Sequence, residues 1–258
     1  MYPDEVNEIV HEVQKLLAMD AINDSGKRLN THISINDDMY QGNLSHYLRC
    51  GSEAAILIKN YSKNLNYSNN LRILDFPCGY GRVTRWLRFI FPESEIVGSD
   101  TTLDAVDFSK INFLMEPFEA KTNFNDNKLE GHFNLIWVGS LITHIPQEDG
   151  VELLNFLTSH LDKNSQLFLS FLGEEMQNRF ISEDSPYGLS KESANEVLVS
   201  FREKGYGYSN YPNQKGYGIS LISSKWWSDF IYNRPEFKLE IVPLGWDKHH
   251  NIAVITRV

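Results

Sequence analysis

The stretch "LRILDFPCGYGRVTRWL", residues 71–87, decides the fold, because it runs from an apolar strand pattern through two glycines into a helix pattern. Gly79 and Gly81 lie where the first strand should turn into the first helix. A glycine turn at this point lets a ligand approach backbone N–H groups, and by itself it would suggest a dinucleotide. Asp75, however, ends the strand at the position where a diphosphate would feel its charge.

Two further details favour a cationic cofactor over a dinucleotide. Thr84 occupies the position of the third glycine in G-x-G-x-x-G. S-adenosylmethionine has an ammonium and a sulfonium group and no phosphate, so a carboxylate such as Asp75 would stabilise it. The next strand pattern, "EIVGSD", ends in Asp100, about as far downstream as the acid that accepts hydrogen bonds from ribose hydroxyls in nucleotide folds. The combination predicts S-adenosylmethionine as the cofactor.

Strand and helix patterns alternate along the chain, which predicts a doubly wound α/β sheet. Short apolar runs indicate buried strands, and apolar residues at helical spacing indicate crossover helices. The predicted strands are 71–76, 95–100, 112–119, 133–139, 165–172, 237–243 and 251–257, and the predicted helices are 81–91, 102–110, 148–161 and 224–233.

The length of 258 residues and the hydrophobic content of 41% predict one compact domain. Residues 1–70 are interpreted as an N-terminal helical cap, with helix patterns at 3–23 and at 43–63, the second interrupted near Gly51. Residues 71–172 form the predicted core. Residues 173–223, which are rich in glycine and tyrosine, are interpreted as an insertion or lid, and 224–258 as the last strands of the sheet.

Composition and charge narrow the function classes. A formal net charge of -10 would repel a polyphosphate backbone, so nucleic acid is not the expected substrate. The two cysteines, Cys50 and Cys78, lack the spacing of a zinc site or a disulfide framework, which favours a reducing cytoplasm. No apolar run reaches the roughly 18 residues that cross a bilayer. No dedicated metal site is predicted, and the oligomeric state is left open.

The chain also resembles the class I S-adenosylmethionine-dependent methyltransferases. "ILDFPCGYG" resembles their glycine-rich first motif, "FNLIWVGSLITHIP" the fourth-strand motif and "SQLFLSF" the fifth strand. "FKLEIVPLGWDKHHNIAVITR" is similar to the antiparallel strands that close their sheet, so the resemblance implies a Rossmann-like seven-stranded sheet, mostly parallel with an antiparallel last strand. "MYQGNLSHYLRCG" and "GSLITHIP" resemble a bacterial subgroup of generic methyltransferase domains. "GWDKHHNIAV" departs from that subgroup's "GW..HQDV" at His250 and Asn251.

The resemblance assigns roles around the cofactor to particular residues. It implies that Gly79 and Gly81 approach the cofactor, that Asp75 supports its amino-acid end and that Asp100 holds the ribose. The other cofactor-site residues that it implies are Pro77, Cys78 and Tyr80 on the same loop, Thr101 after Asp100, and Ser140 and Leu141 on the thioether side.

Several of these roles have alternatives. Phe118 or Glu119, after the third strand, would flank adenine. Tyr47 and Gly51 would close over the methionine end, or else serve ordinary helix packing. Arg82 could bind the cofactor carboxylate or remain a solvated or salt-bridged arginine in the first helical turn.

Three histidines are candidates for acid–base catalysis. His144 in "SLITHIP" follows the fourth strand, at the edge of the sheet where ligands bind, and is the leading general-base candidate; a helix-start histidine bonded to backbone is the alternative. His249 and His250 with Asp247 suggest a second acid–base or metal cluster, or simply a polar hairpin turn. Cys78 lacks the histidine and acid arrangement of a cysteine nucleophile.

The acceptor is predicted only by class. The chain lacks the "[DN]-P-P-[YF]" motif that resembles base-amino methyltransferases. O-methylation of a small molecule or saccharide is the first hypothesis; an N-methyltransferase for an amine or peptide, or a non-catalytic cofactor-binding partner subunit, is the alternative. Aromatic residues that could serve as platforms for a ring, or as core, are Tyr206, Tyr208, Tyr211, Tyr217, Trp226, Trp227 and Trp246.

Overall fold

The computed structural model describes Asn23, residues 26–63 and residues 70–258. The helix predicted at 3–23 therefore lies outside the described residues except for Asn23. The described chain divides into two compact units, one ending at Trp137 and the other beginning at Val138. No helix in the described part of the chain combines the length and the apolar character that a membrane span requires.

A seven-stranded sheet organises the fold. Its strands are β1 (Arg72–Asp75), β2 (Glu95–Asp100), β3 (Glu116–Glu119), β4 (Phe133–Val138), β5 (Leu161–Phe171), β8 (Phe237–Trp246) and β9 (His250–Arg257). Their order in the sheet is β3-β2-β1-β4-β5-β9-β8. Strand β9 runs antiparallel to both β5 and β8, which confirms the predicted fold class with its antiparallel last strand.

In the first unit, β1 pairs in parallel with β2 on one side and with β4 on the other. Asp75, the last residue of β1, lies opposite Gly98 and Trp137 in the two registers. The strand order reverses at this pair of neighbours, because the chain moves outward from β1 to β3 and then returns to β4. Ligands of open α/β sheets bind at the carboxyl ends of the strands at such a reversal.

The helices of the first unit are α1 (Leu44–Ser62), α2 (Thr84–Ile90) and α3 (Leu103–Phe113). Helix α1 runs without a break, so the predicted interruption near Gly51 is wrong. Gly51 lies where α1 approaches α2 and the residues just before it: a Cβ atom on Gly51 would lie 2.0 Å from the carbonyl oxygen of Arg82 and 2.7 Å from the Trp86 side chain in α2. The glycine permits this contact and does not end the helix.

Strand β3 is shorter than the predicted 112–119. Helix α3 continues to Phe113 and ends at Leu114, whose φ of 55° places it in the left-handed conformation that terminates helices. The apolar side chains near residue 113 thus belong to the end of a helix, and the strand begins only at Glu116.

In the second unit, helices α4 (Gln147–Ser159) and α7 (Ser224–Tyr232) match predicted helices within a few residues. The predicted insertion, 173–223, contains helices α5 (Gln177–Ser182) and α6 (Lys191–Lys204) and the antiparallel strands β6 (Tyr206–Asn210) and β7 (Gly218–Ile222). Its glycines serve packing in part: a Cβ atom on Gly207 would lie 1.9 Å from the carbonyl oxygen of Val197 in α6.

Candidate functional site

The glycine turn, residues 76–82, connects β1 to α2. The Phe76–Pro77 peptide bond is cis, and the N–H of Cys78 donates to the carbonyl of Ser99 in β2 at 2.8 Å. The N–H of Gly81 donates to the carbonyl of Cys78 at 3.0 Å. The two hydrogen bonds hold the turn against the carboxyl end of the sheet.

Gly79 and Gly81 serve different purposes in this turn. Both have positive φ, 49° and 76°, which side chains rarely tolerate. A Cβ atom on Gly81 would lie 2.2 Å from the ring of Phe113, so this glycine is also required for packing. Apart from Gly79 and its neighbours in the chain, no described residue has an atom within 4 Å of the corresponding position on Gly79. Gly79 is therefore the glycine that leaves room for a ligand.

Asp100, at the end of β2, is hydrogen bonded to the glycine turn. Its Oδ2 accepts from the N–H of Gly79 at 3.0 Å, and its Oδ1 accepts from the N–H of Thr102 at 2.9 Å. Each carboxylate oxygen has a second lone pair, so the half-buried side chain can still accept a hydrogen bond from a ligand. The two motifs that the sequence singled out are thus adjacent; Thr101 follows them in an exposed position.

Asp75 is buried at the end of β1 and has a strongly perturbed ionisation. Burial and the nearby charge of Asp100 raise the pKa of Asp75 to about 7. The Thr84 hydroxyl donates to Asp75 Oδ2 at 2.6 Å and opposes that shift, as does the charge of Arg82. Thr84, which replaces the expected glycine, therefore holds the carboxyl group in place. A ligand cation close to Asp75 would stabilise its ionised form.

Cys78 is buried in the same turn, and its chemistry is that of a packed thiol. Burial raises the pKa of the Cys78 thiol well above its usual range, with further contributions from Asp75 and Asp100. The thiolate, which is the reactive form, is disfavoured there. The structure offers no support for a cysteine nucleophile.

The predicted adenine-flanking residues lie beside Asp100 at the same edge of the sheet. Phe118 is paired with Ser99, and Glu119 with Asp100, in the parallel register of β2 and β3. Glu119 is exposed and forms an ion pair with Lys121 at 2.5 Å. Their role beside adenine stays a prediction.

Tyr47 and Gly51 both lie in the buried face of α1. The Tyr47 hydroxyl donates to Asp37 Oδ2 at 2.5 Å and accepts from Arg85 Nη2 at 3.2 Å. Gly51 contacts the backbone of Arg82. The hydroxyl and the glycine thus take part in packing, which is the alternative that the sequence left open.

In the second unit, Ser140 and Leu141 follow β4 and lead into a 3₁₀ turn, Ile142–His144. Ser140 has a φ of 61°, and its N–H donates to Ser170 Oγ at 2.6 Å. The Thr143 hydroxyl donates to the Ser140 carbonyl. A strained, well-anchored residue directly after a strand is typical of a functional loop.

His144, the last residue of that turn, has a defined tautomer. Its Nδ1 lies 2.8 Å from the carbonyl oxygen of Gly218, and because a carbonyl only accepts, Nδ1 carries the proton. Burial lowers the pKa of His144, so the ring is neutral at physiological pH. Nε2 then has a free lone pair, and none of the described residues hydrogen bonds to it. This is the state that a general base requires.

Two tyrosines of the predicted insertion surround the His144 ring. Tyr217 stacks on it at 5.0 Å between centroids, and the Tyr211 ring lies 6.0 Å away. Tyr206, Trp226 and Trp227 are core residues instead: the Tyr206 hydroxyl donates to the carbonyl of Ile145 at 3.0 Å, and both indoles are buried.

His249 and His250 lie at the hairpin between β8 and β9. His249 Nε2 is 3.0 Å from the Tyr187 hydroxyl, and burial together with the charge of Arg179 lowers the pKa of His249. His250 Nε2 lies 3.5 Å from Ser140 Oγ. The backbone of these residues forms the predicted hairpin turn. The His249 imidazole contacts Tyr187, and the His250 imidazole contacts Ser140.

Tyr187 was not anticipated from the sequence. Its φ of 54° is strained for a tyrosine, and the Arg179 guanidinium lies 4.7 Å from its ring centroid. Arg179 is in turn paired with Glu183 at 2.7 Å. In the sequence, Tyr187 stands out by its aromatic ring and by the glycine that follows it. Neither feature indicates that His249 is its partner.

Comparison with known families gives a match over part of the chain. The model of the methyltransferase small domain family matches residues 49–138. No curated protein matches the chain.

Solved structures share the fold at low identity. An amino pentose methyltransferase from Micromonospora echinaspora, with bound S-adenosylmethionine, has a TM-score of 0.59 and 12% identity, covering 88% of this chain and all of its own. An S-adenosylmethionine-dependent methyltransferase from Clostridium acetobutylicum has a TM-score of 0.56 and 11% identity, and the match covers 86% of this chain and 96% of that protein. The plantazolicin methyltransferase in complex with a pentazolic analogue has a TM-score of 0.53 and 14% identity, covering 99% of each chain.

Proposed function

We propose that this chain, a class I S-adenosylmethionine-dependent methyltransferase by its family match and its fold, methylates a hydroxyl group of a small molecule or saccharide. The observation that carries the proposal is the hydrogen bond from His144 Nδ1 to the Gly218 carbonyl. It leaves a neutral imidazole with an available Nε2, and a strong general base is needed mainly when the acceptor is a hydroxyl.

The residues of the glycine turn fit S-adenosylmethionine. Asp75 is a buried carboxyl group whose ionised form needs a positive charge nearby, and the amino-acid end of the cofactor supplies one. The space beside Gly79 admits the ligand to the backbone, and Asp100 accepts hydrogen bonds from the ribose hydroxyls. A dinucleotide would instead bring phosphate charge towards Asp75 and Asp100.

The protein's part in the reaction is to orient the acceptor and remove its proton. The cofactor supplies a methyl carbon activated by the sulfonium. When bound, it would give up its methyl group to the acceptor oxygen, and the electron pair of the broken carbon–sulfur bond would remain on sulfur. His144 Nε2 accepts the hydroxyl proton, and the Gly218 carbonyl stabilises the resulting imidazolium through Nδ1.

The surroundings of His144 favour a small, ring-bearing acceptor. Tyr211 and Tyr217 offer aromatic faces with polar hydroxyls, which suits sugars and aromatic alcohols. The net charge of -10 opposes a polyanionic acceptor. Two similar structures have names that refer to an amino pentose and to a pentazolic analogue, which are also small molecules.

The test is a methyl-transfer assay with S-adenosylmethionine labelled in its methyl group and a panel of matched alcohols, sugars, amines and short peptides. Mass spectrometry then locates the added methyl group. We expect products methylated on oxygen, formed by the wild type and strongly reduced by His144→Ala. Methylation on nitrogen alone, unaffected by that substitution, would favour the N-methyltransferase alternative. Cofactor binding without any product would favour a non-catalytic partner subunit.

A further inference from the structure

Arg85 lies in the first unit, on the first turn of α2, with only 2% of its surface exposed. Its Nε donates to the carbonyl of Gly81 at 3.0 Å, and its Nη2 donates to the carbonyl of Tyr80 at 3.3 Å. The guanidinium also lies 4.6 Å from the ring centroid of Phe113, against which Gly81 packs. One side chain therefore binds two consecutive carbonyl groups of the glycine turn.

The other donors of Arg85 reach residues 30–47, the segment that precedes and begins α1. Nη1 donates to the carbonyls of His32 at 2.9 Å and Asn30 at 3.3 Å. Nη2 donates to the Tyr47 hydroxyl, which in turn donates to the carboxylate of Asp37 at 2.5 Å. The buried cation is thus linked to an anion through a tyrosine hydroxyl, and it joins this segment to the glycine turn.

A second bridge joins the same two parts of the chain. The Tyr80 hydroxyl, on the glycine turn, donates to Asp104 Oδ2 at 2.8 Å, and the Asn36 amide donates to the same oxygen at 3.0 Å. The segment is therefore attached to the turn at a buried point, through Arg85, and at an exposed point, through Asp104.

We propose that Arg85 is a positioning residue for the cofactor site: its guanidinium holds the glycine turn and residues 30–47 in the geometry that S-adenosylmethionine requires. Removing a charge from water is costly, and only a planar group with five donors can reach these carbonyls and the tyrosine together. A lysine keeps the charge but loses the fork. The inference rests on the proposed cofactor site and adds a residue that touches the turn and not the cofactor.

The experiment compares Arg85→Lys with Arg88→Lys. Arg88 lies on the same helix and is a matched control, because it too donates to backbone carbonyls, those of Phe113, Leu114, Pro92 and Ser94, none of which belongs to the glycine turn. Both substitutions should lower the melting temperature. Titration calorimetry well below each melting temperature, with S-adenosylmethionine and its demethylated product, then separates positioning from stability.

We expect Arg85→Lys to raise both dissociation constants by about 10-fold or more, and Arg88→Lys to leave them within about 2-fold of the wild type. Equal, unchanged dissociation constants in the two folded variants would overturn the inference. If Arg85→Lys does not fold, Arg85→Gln takes its place, because it removes both the guanidinium fork and the buried charge; an unchanged dissociation constant in that folded variant would also overturn the inference. A wild type that binds neither compound would refute the cofactor assignment itself.

Discussion

At the scale of single residues, His144 carries the proposed chemistry. If its Nε2 accepts the proton of a hydroxyl acceptor, His144→Ala should lower single-turnover methyl transfer by about 100-fold to 10,000-fold, while cofactor binding stays nearly unchanged. His249→Ala is the matched control, because His249 Nε2 already faces the Tyr187 hydroxyl. Full turnover with a lowered melting temperature would assign His144 a purely structural role.

The pH dependence of the wild type tests the same residue. Burial lowers the pKa of His144 below its ordinary value, so the rate should rise with pH through a pKa below about 6.5 and then stay level. The stability that neutral His144 contributes is present above the unfolded-state pKa and is lost as the pH falls through the folded one. A rate that still climbs steeply above neutral pH would point to a different base.

Asp75 predicts a second pH effect, of opposite sign. Because its folded pKa is raised to about 7, its contribution to stability is present at acidic pH and is lost as the pH rises through that value. A bound cation offsets the loss, so S-adenosylmethionine should bind more tightly at about pH 8 than at about pH 6. Asp75→Asn should abolish this pH dependence. Calorimetric titrations of the wild type and Asp75→Asn at the two pH values test this prediction. If the dissociation constant changed equally with pH in both proteins, Asp75 would be excluded from the cofactor site.

At the scale of elements, the contact between α1 and the turn that begins α2 depends on Gly51. A methyl group there would meet the Arg82 carbonyl at 2.0 Å, so Gly51→Ala should destabilise the fold by about 1–3 kcal/mol although alanine favours helices. Gly150→Ala in α4 is the control, since a Cβ atom there would lie no closer than 3.1 Å to its nearest contact, the Tyr206 hydroxyl, which needs to shift by only a few tenths of an ångström. Urea unfolding compares the two. Equal stability of both variants would show that α1 and α2 do not approach this closely.

The elements themselves were largely predictable from sequence, because strand and helix patterns and the glycine turn are local signals. The spacing of Asp75, Gly79 and Asp100 also identified the carboxyl edge of β1 and β2. What the sequence did not reveal was long-range pairing: Arg85 sits among apolar neighbours in "VTRWL", yet its carbonyl partner His32 is 53 residues away. The same holds for Tyr187 and His249. A pattern indicates burial, but it does not name a partner.

At the scale of the whole molecule, the alternation of strand and helix patterns predicted the fold class. It did not predict the structure of the glycine-rich region 173–223. That region contains helix α6 and strand β7, and every residue of β7 is buried. The glycines of the region permit close backbone contacts. Turn-like composition alone suggested a break. The acidic net charge fits the proposed binding of a cationic cofactor and a small acceptor.

The most direct test is a calorimetric titration of the intact protein with S-adenosylmethionine, its demethylated product and NAD, repeated with Asp100→Ala. We predict that both adenosyl compounds bind and NAD does not, and that Asp100→Ala weakens their binding by about 1–3 kcal/mol, the cost of leaving buried hydrogen-bonding groups without a partner. Tight binding of NAD with no response to either adenosyl compound would contradict the account.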